Sequence, residues 1–291
     1  MQDFAQLVIA GLATGAIYAL VAIGFTLLWQ TSQTVNFAQG EFVVLPAFFM
    51  LGLMQAGLPF WAAVLLGIGL SVLVLGVLFK RLLVDPMLQH GALPLSIATM
   101  ALALFLKEAV KDVWGAEAHA FPALAGGGTV RVLGVALTAQ SLIVLAVGVA
   151  TVLILQGFLT RTRTGRCMQA AAQNPATARI LGIPVERMIL YTFIINAVLV
   201  SVAAVLVTPV YLAKFSNGET LGLAAFIAAL VGGFNQMRGA IVGGLLLGVL
   251  DNLAAAYVSA TYRGAVPLVL LIGMILLRPH GLLGRAEQRT V

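Results

Sequence analysis

Long apolar runs separated by short polar punctuation dominate this chain. Nine can be drawn, at residues 4–29, 42–56, 61–79, 93–113, 138–160, 188–212, 221–234, 240–258 and 265–277. A helix of about 20 apolar residues crosses the hydrocarbon core of a bilayer. The second, seventh and ninth runs are short and read as half-helices or as segments that run deeper than drawn. The runs are continuously apolar, whereas the strands of a membrane barrel alternate apolar and polar residues. The pattern predicts an all-α polytopic integral membrane protein with about eight to nine transmembrane helices. The opening Met1-Gln2-Asp3 lacks a positive stretch and the run after it is too long for a signal peptide core, so the first run is expected to remain as a helix. Gly-x-x-x-Gly spacings at Gly11/Gly15, Gly239/Gly243 and Gly244/Gly248 predict close helix approach.

One polar sentence is written twice. NFAQGEFVVLPAFF at 36–49 aligns with KFSNGETLGLAAFI at 214–227, with six of fourteen positions identical at a constant offset of 178 residues. The matched pairs include Phe37/Phe215, Gly40/Gly218 and Glu41/Glu219, with an amide at Gln39/Asn217. Each copy joins a long run to a short one. Five predicted spans separate them, so the copies face opposite sides, the pattern of an inverted repeat whose halves build one pathway. Each Gly breaks the chain before a new helix whose first turn carries a Glu, where the positive dipole end favours a carboxylate. Phe37, Gln39, Gly40, Glu41, Phe215, Asn217, Gly218 and Glu219 are therefore candidate pathway or gate residues. The local alternative makes each Glu a helix N-terminal charge in a loop at headgroup level. Asp251, beside Asn252 in the eighth run, is a further pathway candidate, because an intramembrane acid is a functional candidate by default. Its alternative is an interhelical hydrogen bond.

Composition agrees with the pattern. The chain is 61% hydrophobic and 9% charged, with mean hydropathy +1.07, against about 25% charged for soluble domains. It reads as a single transmembrane domain over 1–291: a first repeat at about 4–160, a cytoplasmic loop at 161–187 and a second repeat at about 188–285. The net charge of +6 divides by side. Eleven Lys and Arg (Lys80, Arg81, Arg161, Arg163, Arg166, Arg179, Arg187, Arg238, Arg278, Arg285, Arg289) fall on one side and five (Lys107, Lys111, Arg131, Lys214, Arg263) on the other. The positive-inside rule then puts the N-terminus outside and the C-terminus in the cytoplasm. The basic balance is a topology signal and gives little support to nucleic-acid binding. Cys167 stands alone and the three His fit no metal-ligand spacing. No clustered acid pair or His pair supports an enzyme.

The loop at 161–187 reads RTRTGRCMQAAAQNPATARILGIPVER. It predicts two short helices. The first covers 165–173, and the second has Asn174 as N-cap, Pro175 at N1 and Gly182 at C′. So short a helix is marginal alone in water. Ile180, Leu181 and Ile183 offer a partner an apolar edge. A loop that only sets topology would have no need of such caps.

YALVAIGFTLLW (18–29) with NFAQGE, GRCMQAAAQNPATARILGIPVER, GGFNQMRGAIVGGLLLGVLDNLAAAY (232–257) and RPHGLLGR (278–285) together resemble the LivH-type permeases of branched-chain amino acid ABC importers, over nearly the whole chain. The resemblance implies a translocation subunit in the bacterial inner membrane. It implies a second homologous permease (as a heterodimer), two cytoplasmic ABC ATPases and a periplasmic substrate-binding protein. It makes the loop a coupling element, with Gly165, Arg166, Ala170, Ala171, Asn174, Pro175, Gly182 and Ile183 toward the ATPase. No Lys follows a Gly, so this chain has no P-loop. It is expected to bind no cofactor or metal, and ATP would be used by its partners. Gln39, where the family often has His, and Ala224, where it often has Lys, depart from the pattern. They keep a urea or short-amide permease open as an alternative. A stand-alone secondary transporter also suits an inverted repeat.

Overall fold

The computed structural model describes residues 2–126, 128–132, 135–259 and 262–284. Gly127, Arg285 and Arg289 lie outside them. Among the described residues, six helices are long and apolar enough to cross a membrane: Phe4–Thr31, Phe60–Leu88, Ala92–Trp114, Ala139–Arg161, Val185–Tyr211 and Met237–Tyr257. Three shorter apolar helices, Gln39–Gln55, Asn217–Gly232 and Ala265–Leu277, coincide with the three short runs. In chain order the helices are α1 (Gln2–Ser32), α2 (Gln39–Gln55), α3 (Phe60–Ser71), α4 (Asp85–Leu88), α5 (Ala92–Trp114), α6 (Ala139–Arg161), α7 (Arg163–Gln173), α8 (Pro175–Ile180), α9 (Val185–Tyr211), α10 (Asn217–Gly232), α11 (Met237–Tyr257) and α12 (Ala265–Leu277).

Two boundaries differ from the sequence reading. The third run does not stop before Lys80. It continues from α3 through two wider π-helical stretches, Val72–Leu78 and Lys80–Val84, into α4. Lys80 is only 7% exposed, and its ammonium is 2.9 Å from Asp85 and 3.8 Å from Glu186. A cation neutralised in place does not have to end a helix. The segment at 115–137, between the fourth and fifth runs, carries an antiparallel hairpin, β1 (Thr129–Val132) paired with β2 (Val135–Thr138). Thr138 therefore belongs to a strand, and α6 starts at Ala139.

The chain divides into two compact units, one of Met1–Thr26, Ala123–Gly148 and Leu223–Val291, the other of Leu27–Pro122 and Val149–Gly222. In the first, α11 is a glycine-faced helix. A Cβ on Gly244 would strike the backbone of Ala19, and one on Gly248 the backbone of Gly11 and Gly15, so this stripe seats α11 on α1. Gly239 and Gly243 meet Gly232 and Ala228 in the same way and seat it on α10. All three Gly-x-x-x-Gly spacings thus mark helix contacts. Apolar side chains gain little from leaving lipid, so close backbone approach supplies the packing instead.

In the second unit α2 is the core. It packs against α3, α5 and α9, and Phe42, Val43, Phe48 and Met50 are fully buried. An aromatic chain fixes its height. Phe42 meets Phe79 at 4.8 Å, Phe79 meets Phe193 at 5.7 Å, and Phe48 meets Trp114 at 5.3 Å. The helix is apolar all round, as a helix buried on every side must be.

The glycine seam predicts that Gly248→Val lowers the thermal unfolding midpoint of the purified protein, overpacking costing about 1–3 kcal/mol. Gly69→Ala, in α3 with nothing within 4 Å of an added Cβ, should leave the midpoint unchanged or raise it slightly.

Candidate functional site

Both copies of the repeated motif start a helix at the aligned position, Gln39 for α2 and Asn217 for α10. The turn before each is the same. The Gln39 N–H donates to the Asn36 carbonyl at 3.2 Å, and the Asn217 N–H donates to the Lys214 carbonyl at 3.2 Å. Asn36 tightens the first turn through its side-chain oxygen, which accepts from the Ala38 N–H at 3.1 Å. Asn217 ties the second back to the chain before it by donating to the Leu212 carbonyl at 2.7 Å. The motif therefore encodes a stop, a turn and a fresh helix N-terminus, twice.

The two starts meet. A Cβ on Gly40 would collide with the backbone of Gly218 and Gly222, and a Cβ on Gly222 with that of Gly40. Gly218 lies against the Glu41 carboxylate so closely that any side chain there would displace it. Glycine in both copies is thus required by contact, since only backbones fit between the helices.

The two acids differ. Glu41 is 5% exposed, and its buried Oε2 has no hydrogen-bond partner. Glu41 stands in the first turn of α2, a helix N-terminal charge enclosed by protein. Glu219 is 60% exposed in its side chain and paired at 2.5 Å with Lys107 of α5. Gln39 is fully buried and exchanges two hydrogen bonds with Asn196 of α9, at 2.8 and 3.0 Å. Such a pair satisfies two amides that would otherwise be costly to bury, and it clamps α2 to α9. Phe37 is 42% exposed, its N–H donating to Thr99 Oγ1 at 3.1 Å. Phe215 sits under the ammonium groups of Lys107 and Lys111, about 6 Å from each. A narrow cleft runs between Val43, Ala47, Val207, Thr208, Lys214 and Asn217, with room for only about 10 Å³. That is about one water, so the cleft is closed to an amino acid.

Asp251 is held within the first unit. Arg263 grips it in bidentate fashion, with Nη2 at 2.7 Å and Nε at 2.9 Å from both oxygens, and Tyr18 donates to it at 3.2 Å. The interhelical hydrogen bond expected for Asp251 is present as Tyr18, but Asn252 is not its partner. Asn252 donates to Thr14 Oγ1 at 3.2 Å and to the Gly248 carbonyl at 3.0 Å.

In the loop, α7 starts two residues earlier than expected. Thr162 caps it by accepting from the Gly165 N–H at 3.0 Å, and Gly165 presses on the backbone of Phe158 and Leu159. Arg166 is exposed, Ala170 half-buried and Ala171 buried. Asn174 caps α8 by accepting from the Thr177 N–H at 3.0 Å, with Pro175 at the first position. At the other end Gly182 has φ +78° and donates to the Arg179 carbonyl, while Ile183 donates to that of Ala178. These two bonds make a complete Schellman stop. Ile180 and Leu181 are left 86% and 72% exposed.

Sequence reasoning missed the roles of Lys107 and Arg263. Lys107 and Arg263 had been counted only as topology charges. Lys107 has Glu108, Lys111 and Asp112 within five residues, so nothing local points to Glu219. Arg263 stands twelve residues beyond Asp251, and nothing local links them.

The family described as branched-chain amino acid transport system / permease component matches residues 7–275. The high-affinity branched-chain amino acid transport system permease proteins LivH of Salmonella typhimurium and LivH of Escherichia coli are each 32% identical to this chain, over 99% of it and 98% of their own length. The corresponding permease BraD of Pseudomonas aeruginosa shows the same identity and coverage. This chain is a multi-pass membrane protein that belongs to the family of branched-chain amino acid transport system permease components.

Proposed function

We propose that this chain is the translocation subunit of an ABC importer for branched-chain amino acids. It would work in the bacterial inner membrane beside a second, homologous permease as a heterodimer. Two cytoplasmic ATPases would supply the energy, and a periplasmic binding protein would deliver the substrate. The relatives favour this over a urea or amide permease and over a carrier that works alone.

The observation that carries the reading is α8. Six residues are capped at both ends, yet the two large apolar side chains at its end face outward. A helix this short gains little from its own hydrogen bonds, so two apolar side chains held at its surface serve a docking partner. Ion pairs link it to the long helices. Arg179 of α8 is 3.6 Å from Glu186 at the start of α9, and Glu186 is 3.8 Å from Lys80. Movement of a docked ATPase would reach the membrane helices by this route and through α7, which packs on α9.

The pathway runs past the paired helix starts at Gly40 and Gly218. With the N-terminus outside, the nine apolar helices cross as two inverted halves, and the two Gly-Glu turns form the gate between them. A zwitterion with an apolar side chain needs little here: a carboxylate for its ammonium, a positive group or helix N-terminus for its carboxylate, and apolar walls.

Glu41→Gln and Glu219→Gln should each lower substrate uptake while the subunits still co-purify. Wild-type uptake by both variants would remove the acids from the pathway. Gly182→Pro, which cannot hold a positive φ, should abolish co-purification of the ATPases, with the Gly69→Ala variant as a docking-competent control. Retained ATPase binding would contradict the coupling assignment.

A further inference from the structure

Three helices bring one ammonium and two carboxylates together at the second helix start. Lys107 of α5 is paired with Glu219 of α10, and Glu41 of α2 interacts electrostatically with both. Lys111 stands nearby over Phe215, but its ammonium is 2.9 Å from Glu108. Two carboxyl groups thus face one cation. The one without a paired cation is the buried one. Glu41 is nine-tenths buried, its Oε2 has no hydrogen-bond partner, and its carboxylate lies directly against the backbone of Gly218, at the α2–α10 contact. A buried carboxylate oxygen without a donor is costly, and a cationic N–H donor is the chemistry that relieves it.

The Lys107–Glu219 pair has the opposite character. The Lys107 side chain is 19% exposed and the Glu219 carboxylate 60%. The cation is fixed, and its acid is the hydrated, replaceable partner. Another carboxylate can take the place of Glu219 with one charge-assisted hydrogen bond exchanged for another.

We propose that Glu41, Lys107 and Glu219 form a charge-exchange site for an α-amino acid zwitterion. The ammonium of the substrate docks on Glu41, and its carboxylate displaces Glu219 from Lys107. Binding then breaks the link between α5 and the start of α10, so recognition and release of the gate are one event. Lys107 is the residue that reads the carboxylate. This rests on the pathway placement above and adds the substrate groups and the residue that selects them.

The test pairs two readouts on Lys107→Met, Lys107→Arg and the charge-swapped Lys107→Glu/Glu219→Lys. The first is labelled leucine uptake by the reconstituted complex with its ATPases, second permease and binding protein. The second is the shift in unfolding midpoint of the purified chain with millimolar leucine or leucinamide, which keeps the ammonium and lacks the carboxylate. Loss of a charged hydrogen bond predicts that Lys107→Met lowers uptake about tenfold or more, with co-purification intact. Lys107→Arg should retain much of the uptake. Leucine should stabilise the wild-type chain more than leucinamide does, and that difference should vanish in Lys107→Met. The swapped pair restores a static ion pair but moves the cation to α10, so it should not restore uptake. Uptake by Lys107→Met within twofold of wild type, recovery by the swap, or no leucine preference in the wild-type chain would each overturn the proposal. A complex that takes up no leucine, with a Lys107-dependent leucine preference still present in the chain alone, would support the site and reject the transport reading instead.

Discussion

The contact between Gly40 and the Gly218–Gly222 turn is the constraint on which the second unit depends. Two helix starts can share one place only if neither carries a side chain there. Once they do, both positive helix ends and both acids of the repeated motif fall within one small volume. Glu41 is then covered and Glu219 is left at the surface, so identical residues acquire different tasks. Replacing either glycine would separate the two starts.

The same economy of side chains builds the first unit, where α11 meets α1 and α10 through two glycine faces. Backbone proximity replaces apolar burial as the source of cohesion, as expected where the surroundings are themselves apolar. Polar groups inside these helices are then paired. Asp251 has Arg263 and Tyr18, Gln39 has Asn196, and Lys80 has Asp85. The first two join different helices and fix a register that apolar packing alone would leave free to slide, while the third neutralises a charge within one helix.

Much of this was legible in the sequence because it is local. The three short runs, the fresh helix starts at Gln39 and Asn217 (each one residue before the Gly read as the break), and the Asn174 and Gly182 caps all follow from residues within a turn or two of each other. What was not legible depends on partners far along the chain. Gln39 finds Asn196 across 157 residues and Lys107 finds Glu219 across 112, and no spacing rule links them. Lys80 was misread because a charge beside an apolar run usually ends it, whereas here Asp85, five residues on, and Glu186 of α9 neutralise it in place. The hairpin at 129–138 was missed because its strands are four residues each, too short to establish an alternating pattern.

The central claim is that the chain forms a passive pathway moved by partners through α8. It is tested most directly by reconstituting the chain in proteoliposomes and following labelled leucine uptake as each ATPase, the second permease and the binding protein are left out in turn. The account predicts uptake only when all are present and ATP is supplied. Uptake by this chain alone down an ion gradient would contradict it.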